Sequence, residues 1–99
     1  MSEWDAEYVI THVRYVGHHI ENVRRWRIEN GHLVDPVEVS REIVAQDLEI
    51  GLTYRTAIQE DDEWIPGDRV TAFDIDGDRY LRTKAGDNPA DNLGGLPEF

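Results

Sequence analysis

Cysteine is absent from this 99-residue sequence, and lysine occurs once, at Lys84. Without cysteine the chain forms no disulfide, binds no metal through a thiolate and carries no thiol nucleophile. No apolar stretch approaches the roughly 20 residues that a membrane-spanning helix needs. The first eight residues also lack the basic start and apolar core of a secretory leader. We therefore predict a cytosolic protein with no membrane segment.

Negative charge dominates what is present. The 21 acidic residues outnumber the 10 basic ones, of which nine are arginine, and the formal net charge is −11. Carboxylate excess with little lysine is typical of proteins from very salty cytosols, where a Debye length of about 3 Å at 1 M screens the repulsion. In dilute buffer the same repulsion destabilises the folded state. We favour a salt-adapted protein, and an ordinary acidic protein is the alternative.

The first part of the chain predicts two paired strands. Tyr8–Tyr15 and Ile20–Glu29 are rich in β-branched and aromatic residues, and Gly17 lies between them. Before them, the polar segment Ser2–Glu7 is expected to fray. Asn30-Gly31 after them is a strong turn signal.

Strict alternation divides the side chains of these strands between two faces. In the first strand, one face is expected to hold Val9, Thr11, Val13 and Tyr15, and the other Tyr8, Ile10, His12 and Arg14. In the second strand, Ile20, Trp26 and Ile28 are in phase. Val23 is out of phase with Trp26 and Ile28, which indicates a β-bulge.

Two starts are open for the helix that follows. Asp35-Pro36 with Glu38 has the form of a capping box, but a helix from there splits its apolar residues between opposite sides. We prefer Ser40 as the N-cap, with Val37 and Val39 in an extended lead-in. The resulting apolar stripe, interrupted by Asp47, consists of Ile43, Val44, Leu48 and Ile50. Gly51 is expected to end the helix.

The second half predicts three more strands, Leu52–Ile58, Arg69–Ile75 and Asp78–Thr83. Gln59–Asp68 is expected to be an acidic loop with a Pro-Gly turn, and Asp76-Gly77 a tight hairpin turn. The fold class is α+β: a mainly antiparallel sheet of about five strands, ordered ββαβββ, with one helix packed on a face. We expect one domain over residues 1–99, with tail-like ends at 1–7 and 85–99.

Three motifs carry a resemblance to a known family. Gly51–Thr56 directly after the Ser40-led helix, Tyr80–Thr83, and Asp91–Pro97 near the end follow one another in an order that resembles domain-of-unknown-function family 3892. The likeness covers the chain firmly from Ser40 onward. It implies the Ser40 helix start and small prokaryotic relatives, and it implies no catalytic residues.

No catalytic or cofactor site is predicted. The Asp74–Asp78 run lacks the spacing of an EF-hand and is better explained as a hairpin turn with solvated carboxylates. His12, His18, His19 and His32 have no metal-ligand spacing and are interpreted as turn and surface residues. Ser40 caps a helix, and Gly94-Gly95 precedes none, so nucleophile elbows and phosphate loops are excluded. We expect no metal and no cofactor.

One basic segment is the charge feature with functional promise. Tyr8–Ile28 has a net charge of +3, which leaves −14 on the remainder. Its basic residues are Arg14, Arg24, Arg25 and Arg27. If they share one exposed face with Trp26, they suit single-stranded nucleic acid, because arginine contacts phosphate and an aromatic ring stacks a base. Against this, Trp26 is in phase with core residues and an acidic body repels a polyanion.

Our first functional hypothesis is a non-enzymatic protein-interaction or accessory module, and nucleic-acid binding through the arginines is the alternative. The candidate partner contacts are Trp64, in the acidic loop, and Leu96 and Phe99, in the tail. The competing interpretation of that tail is a segment docked over the sheet or helix. We expect a monomer or weak homodimer.

Overall fold

The computed structural model describes residues 4–17, 19–75, 77–83 and 96–99. In that part of the chain six strands and one helix follow one another as βββαβββ. They are β1 Tyr8–Val16, β2 His19–Glu29, β3 His32–Ser40, α1 Arg41–Glu49, β4 Tyr54–Glu60, β5 Glu63–Ile75 and β6 Asp78–Thr83. The α+β class is confirmed, whereas five strands in the order ββαβββ was wrong by one strand. The expectations for His18, Asp76 and Leu93 concern positions outside the described residues.

The sheet has the strand order β3-β2-β1-β4-β5-β6. All neighbours are antiparallel except β1 and β4, which pair in parallel over Tyr8–Ile10 and Tyr54–Thr56. The parallel pair arises because α1 carries the chain back across one face of the sheet. The sheet also curls, since the ring of His19 in β2 stacks on Tyr80 in β6 with 5.0 Å between centroids. We call the side on which α1 packs the helix face.

The extended lead-in predicted before the helix is a full strand, β3, which pairs with β2 along its length. Asp35, with φ +54°, and Pro36 lie at a register shift in this pairing. An edge strand tolerates such an interruption because one of its sides makes no ladder hydrogen bonds. The turn before β3 was predicted, and Asn30 and Gly31 have positive φ values of 52° and 78°.

The helix begins and ends where the sequence indicated. The Ser40 side chain accepts a hydrogen bond from the Ile43 amide at 3.3 Å, and Gly51 follows the helix with φ +97°. The predicted stripe is only half correct. Val44 is buried and Leu48 packs on the core, but Ile43 and Ile50 are 41% and 76% exposed. Ala45 is buried beside Val44, so the packed side is rotated from the predicted one.

Bulges overturn the predicted alternation in β1. The register with β2 shifts between Ile10 and His12, which inserts Thr11 as an extra residue. Ile10 and Val13 therefore share the helix-face core, while Val9 packs in a second cluster with Trp4 and Ala57. A second shift adds an extra residue in β2 between the partners of Arg14 and Tyr15. A bulge in β2 was predicted because Val23 was out of phase with Trp26 and Ile28. The observed bulge lies before Val23 instead and brings it to the same side as Ile20.

The acidic loop predicted over Gln59–Asp68 is a β-hairpin. Strands β4 and β5 pair up to Glu60 and Glu63, and Asp61 and Asp62 form the turn with positive φ of 52° and 63°. Aspartate tolerates this left-handed conformation better than most residues. Trp64 is therefore held in a strand and not in a loop.

Both ends of the described chain are packed. Trp4 is 2% exposed and donates a hydrogen bond from its indole nitrogen to the Gly31 carbonyl at 3.2 Å. The fraying expected before Tyr8 is therefore wrong for residues 4–7. At the other end, Leu96 is 7% exposed and belongs to the helix-face core.

Candidate interaction surface on the open sheet face

No helix among the described residues covers the sheet face opposite α1. Aromatic, basic and histidine side chains from β1, β2, β5 and the last residues meet on this side. We call this surface the open face, formed by His12, Arg14, Arg24, Trp26, Trp64 and Phe99. The bulge at Thr11 places His12 and Arg14 on it, since their neighbour Val13 lies in the helix-face core.

Two partly exposed tryptophans form the centre of the open face. The rings of Trp26 and Trp64 are inclined at 51° with 6.0 Å between centroids. Trp64 packs on the second core cluster with Val9 and Ala57. The Trp26 indole nitrogen donates to the Thr11 hydroxyl at 2.8 Å. Both rings are thus held in place before any partner arrives.

Thr11 joins the tryptophan pair to His12. Thr11 is fully buried, and its hydroxyl oxygen lies 2.7 Å from the Nδ1 atom of His12. Burial lowers the pKa of His12 below its usual 6.5, and the positive charge of Arg24 lowers that pKa further. The neutral imidazole is therefore the favoured form at pH 7.

Two arginines contact the ring of Phe99 at one side of the open face. The guanidinium carbons of Arg14 and Arg24 lie 4.8 and 5.0 Å from the centre of its ring. The Arg14 Nε atom also donates to the Phe99 carbonyl at 3.1 Å. The His12 ring meets Phe99 edge-on, with 6.4 Å between centroids and an angle of 90°.

Arg14 and Arg24 differ from most arginines of this chain. Among the described residues neither has a side-chain carboxylate within 4.0 Å of its guanidinium nitrogens. The arginines that do have such a partner are Arg25, Arg27, Arg41, Arg69 and Arg79. In a chain with 21 acidic residues, the open face thus brings together two arginines without a side-chain counter-charge among the described residues.

The four arginines proposed for nucleic-acid contact do not share one surface. Arg14 and Arg24 lie on the open face, but Arg25 lies on the helix face. Its Nη1 atom donates to Asp47 at 3.1 Å and to the Tyr54 hydroxyl at 2.8 Å. Arg27 is half-exposed and pairs with Glu29 and Asp35. The shared face on which the nucleic-acid hypothesis depends is therefore not formed by all four arginines.

The three predicted partner contacts are also divided. Trp64 and Phe99 lie together on the open face, whereas Leu96 is buried in the helix-face core. Sequence reasoning missed His12 as a member of this surface and the buried Thr11 as its support, and it took Trp26 for core. The β1 bulge decides where these side chains lie, and no residue pattern in that strand predicts this bulge.

Other regions of the described chain offer little chemistry. No group of three or more His, Cys, Asp or Glu side chains among the described residues is placed to hold a metal ion. A cleft of about 390 Å³ lies between α1 and β5–β6, where it is lined by Leu48 and Val70. The ion pair of Arg79 with Glu49, at 2.8 Å, flanks it. Among the described residues, no helix has the length and apolar character to cross a bilayer.

These features define a class of protein: a small α+β domain with a curled sheet, one helix on one face and an aromatic, arginine-bearing surface on the other. The chain belongs to the DUF3892 family, proteins of unknown function, whose family model matches residues 9–97. The resemblance carried by the three sequence motifs is thus confirmed. No curated protein and no solved structure matches the chain.

Proposed function

We propose that this protein is a non-enzymatic interaction module that binds a protein partner on the open face. One observation carries the proposal. Arg14 and Arg24 have no side-chain carboxylate partner among the described residues, and they share the open face with the partly exposed rings of Trp26 and Trp64. Tryptophan and arginine are the residues most enriched among those that dominate protein–protein binding energy.

The preorganised rings favour binding further. Trp26 is fixed by its hydrogen bond to Thr11, and Trp64 by packing on Val9 and Ala57. Side chains that are already ordered lose little conformational entropy when a partner covers them. The partner that fits is a segment with an apolar or aromatic side chain for the tryptophans and a carboxylate for the arginines.

Nucleic-acid binding is the second candidate, because Arg24 and Trp26 share this face. It is weaker on two grounds. Only two of the four proposed arginines lie here, which limits the number of phosphate contacts. The net charge of −11 also repels a polyanion wherever salt does not screen it.

The test is selection from a phage-displayed library of random peptides on the immobilised full chain. We expect selected sequences to combine acidic with aromatic or aliphatic residues. Synthetic copies should bind Arg24→Glu and Trp64→Ala at least about tenfold more weakly, a loss of roughly 1.4 kcal/mol. Arg27→Glu is the matched control, with the same charge change on the same strand but off the open face.

Two results would overturn the proposal. One is a selection without enrichment, or peptides that bind Arg24→Glu as tightly as Arg27→Glu while circular dichroism shows every variant folded. The other is binding of labelled single-stranded oligonucleotides that is lost in Arg24→Glu and weakens steeply with salt. That second result would assign the open face to nucleic acid.

A further inference from the structure

One edge of β1 pairs with β4 in its first half and with residues 96–99 in its second half. Its pairing with β4 covers Tyr8–Ile10, and beyond Ile10 no strand among β2–β6 pairs with that edge in the described part of the chain. Residues 96–99 lie there instead, where Val13 and Glu98 form an isolated parallel bridge. The Val13 amide donates to the Pro97 carbonyl, and the Phe99 amide donates to the Val13 carbonyl, each at 3.0 Å.

This short segment is held on both faces of the sheet. Leu96 is 7% exposed among the core residues of the helix face. Three positions later, Phe99 lies on the open face in contact with Arg14 and Arg24. Pro97 and Glu98, between them, are exposed. Main-chain hydrogen bonds to an edge strand with side-chain sites of alternating character are the way in which sheets recognise extended peptides.

We propose that the β1 edge at Val13 is a strand-addition site for an extended peptide with an aliphatic residue three positions before an aromatic one. Residues 96–99 occupy the site in cis, and a partner segment of the same chemistry displaces them. The inference rests on the proposed function in one respect, because it names the partner segment and shares Arg14 and Arg24 with the open face.

A tethered occupant competes with any partner. A segment joined covalently to its own site acts at an effective concentration on the order of millimolar. A free peptide of similar intrinsic affinity therefore binds the unmodified chain weakly. Weakening the cis segment should expose the site and raise the apparent affinity for the free peptide.

The experiment uses a synthetic peptide with the sequence of residues 91–99 and the full-length chain carrying Leu96→Asp and Phe99→Ala. Titration is followed by tryptophan fluorescence, which Trp26 and Trp64 report, and by calorimetry. We expect the peptide to bind the double variant at least about tenfold more tightly than the unmodified chain. The control chain is Ile50→Asp, which makes the same kind of apolar-to-acidic change at a 76% exposed position outside the segment and should leave the affinity unchanged.

The peptide also has a matched control. A version with alanine at the position of Phe99 should bind the double variant at least about tenfold more weakly, since it loses both arginine contacts. Equal binding of the two peptides, or no binding to a folded double variant, would overturn the inference.

A measurement on the unmodified chain covers the case in which the double variant fails to fold. The amides of Val13 and Phe99 are the donors that hold residues 97–99 against β1. If the segment is displaceable, both amides exchange with solvent through local opening, faster than amides in the centre of β2. Exchange of Phe99 only through global unfolding would contradict a displaceable tail.

The two proposals fail in different ways. If library peptides bind through Arg24 but the 91–99 peptide does not bind, the strand-addition site is excluded and the interaction surface stands. If the 91–99 peptide binds but Arg24→Glu does not change the affinity for the library peptides, the open face is excluded as the partner-binding surface and the strand-addition site stands.

Discussion

His12 shows at the scale of single residues how the surroundings set the chemistry of the open face. Burial is the main cause of its lowered pKa, and the charge of Arg24 is the second. Arg24→Gln removes a positive charge near the ring, so the pKa of His12 should rise toward 6.5 without reaching it. The measurement is an NMR titration of the His12 ring protons. Arg27→Gln is the control, and an unchanged His12 in Arg24→Gln would contradict this account.

The same shift predicts how stability depends on pH. Well above pH 6.5, His12 is neutral in both the folded and the unfolded chain and contributes no pH dependence. Below 6.5 the unfolded chain takes up the proton first, so the free energy of unfolding falls until the pH passes the lowered folded pKa. Urea unfolding at pH values on either side of 6.5 measures the fall. His12→Asn should remove part of it, and an unaltered profile would exclude His12 as a source.

Tyr54 is a second residue whose role depends on its neighbours. Its hydroxyl donates to Asp47 at 2.6 Å and accepts from Arg25 at 2.8 Å, which ties β4 and β2 to the helix. Burial raises the pKa of Tyr54, and its hydrogen bond to Asp47 raises that pKa further. Tyr54 thus stays protonated at neutral pH and acts as a donor, so this group is a structural tie.

Removing this hydroxyl should be costly. Tyr54→Phe takes one partner from both Asp47 and Arg25, and we expect the free energy of unfolding to fall by about 1–2 kcal/mol. Denaturant unfolding measures it, in a double-mutant cycle with Asp47→Ala, which removes the acceptor. The two changes should couple, because both remove the same hydrogen bond. Additive losses would mean that the contact contributes nothing measurable.

At the scale of elements, one glycine allows the backbones of β4 and β5 to approach closely at a bulge. The register between these strands shifts between Arg55 and Ala57, and Gly67 lies opposite this shift. A Cβ on Gly67 would overlap the hydroxyl of the buried Thr56 and lie 3.3 Å from its carbonyl oxygen. Only a residue without a side chain fits this approach.

Gly67→Ala should therefore destabilise the protein by about 1–3 kcal/mol, because overpacking forces a shift of the neighbouring backbone. Thermal or urea unfolding measures the change. Adding Thr56→Ala removes the obstructing hydroxyl, so the double variant should lose less than the sum of the single losses. If Gly67→Ala left the free energy of unfolding unchanged, the backbone at the bulge would be free to shift away from the added Cβ, which would contradict this account.

At the scale of the whole molecule, charge is expected to govern stability. The ion pairs of Arg27, Arg69 and Arg79 are exposed, and such pairs each contribute at most about 1 kcal/mol. They offset little of the repulsion from a net charge of −11. The salt-adapted character, the cytosolic location and the monomeric or weakly dimeric state stay predictions.

Added salt should accordingly stabilise the fold. We expect Tm to rise by several degrees between dilute buffer and molar NaCl, since about 1 kcal/mol of relieved repulsion is worth roughly 4–8 °C in a domain of this size. Asp61→Asn with Asp62→Asn is the comparison variant, because asparagine also accepts positive φ at this turn. Its Tm should depend less on salt. A Tm independent of salt would favour an ordinary acidic protein.

Local chemistry determined the features that the sequence alone could predict. The Ser40 cap, Gly51 after the helix and the Asn30-Gly31 turn each depend on interactions within a few residues. Family membership was also visible, because motif order is a property of the chain. The mainly antiparallel α+β class could be predicted because the sequence contains several short strand patterns and one helix pattern.

Tertiary structure decided the rest, because a bulge or a pairing partner depends on residues distant in sequence. The extra residue at Thr11 reversed the predicted faces of β1, and pairing with β2 made a strand of residues 32–40. The open face exists for the same reason. It joins Phe99 to Arg14 and Arg24 across more than seventy positions of the chain, and no local pattern encodes that contact.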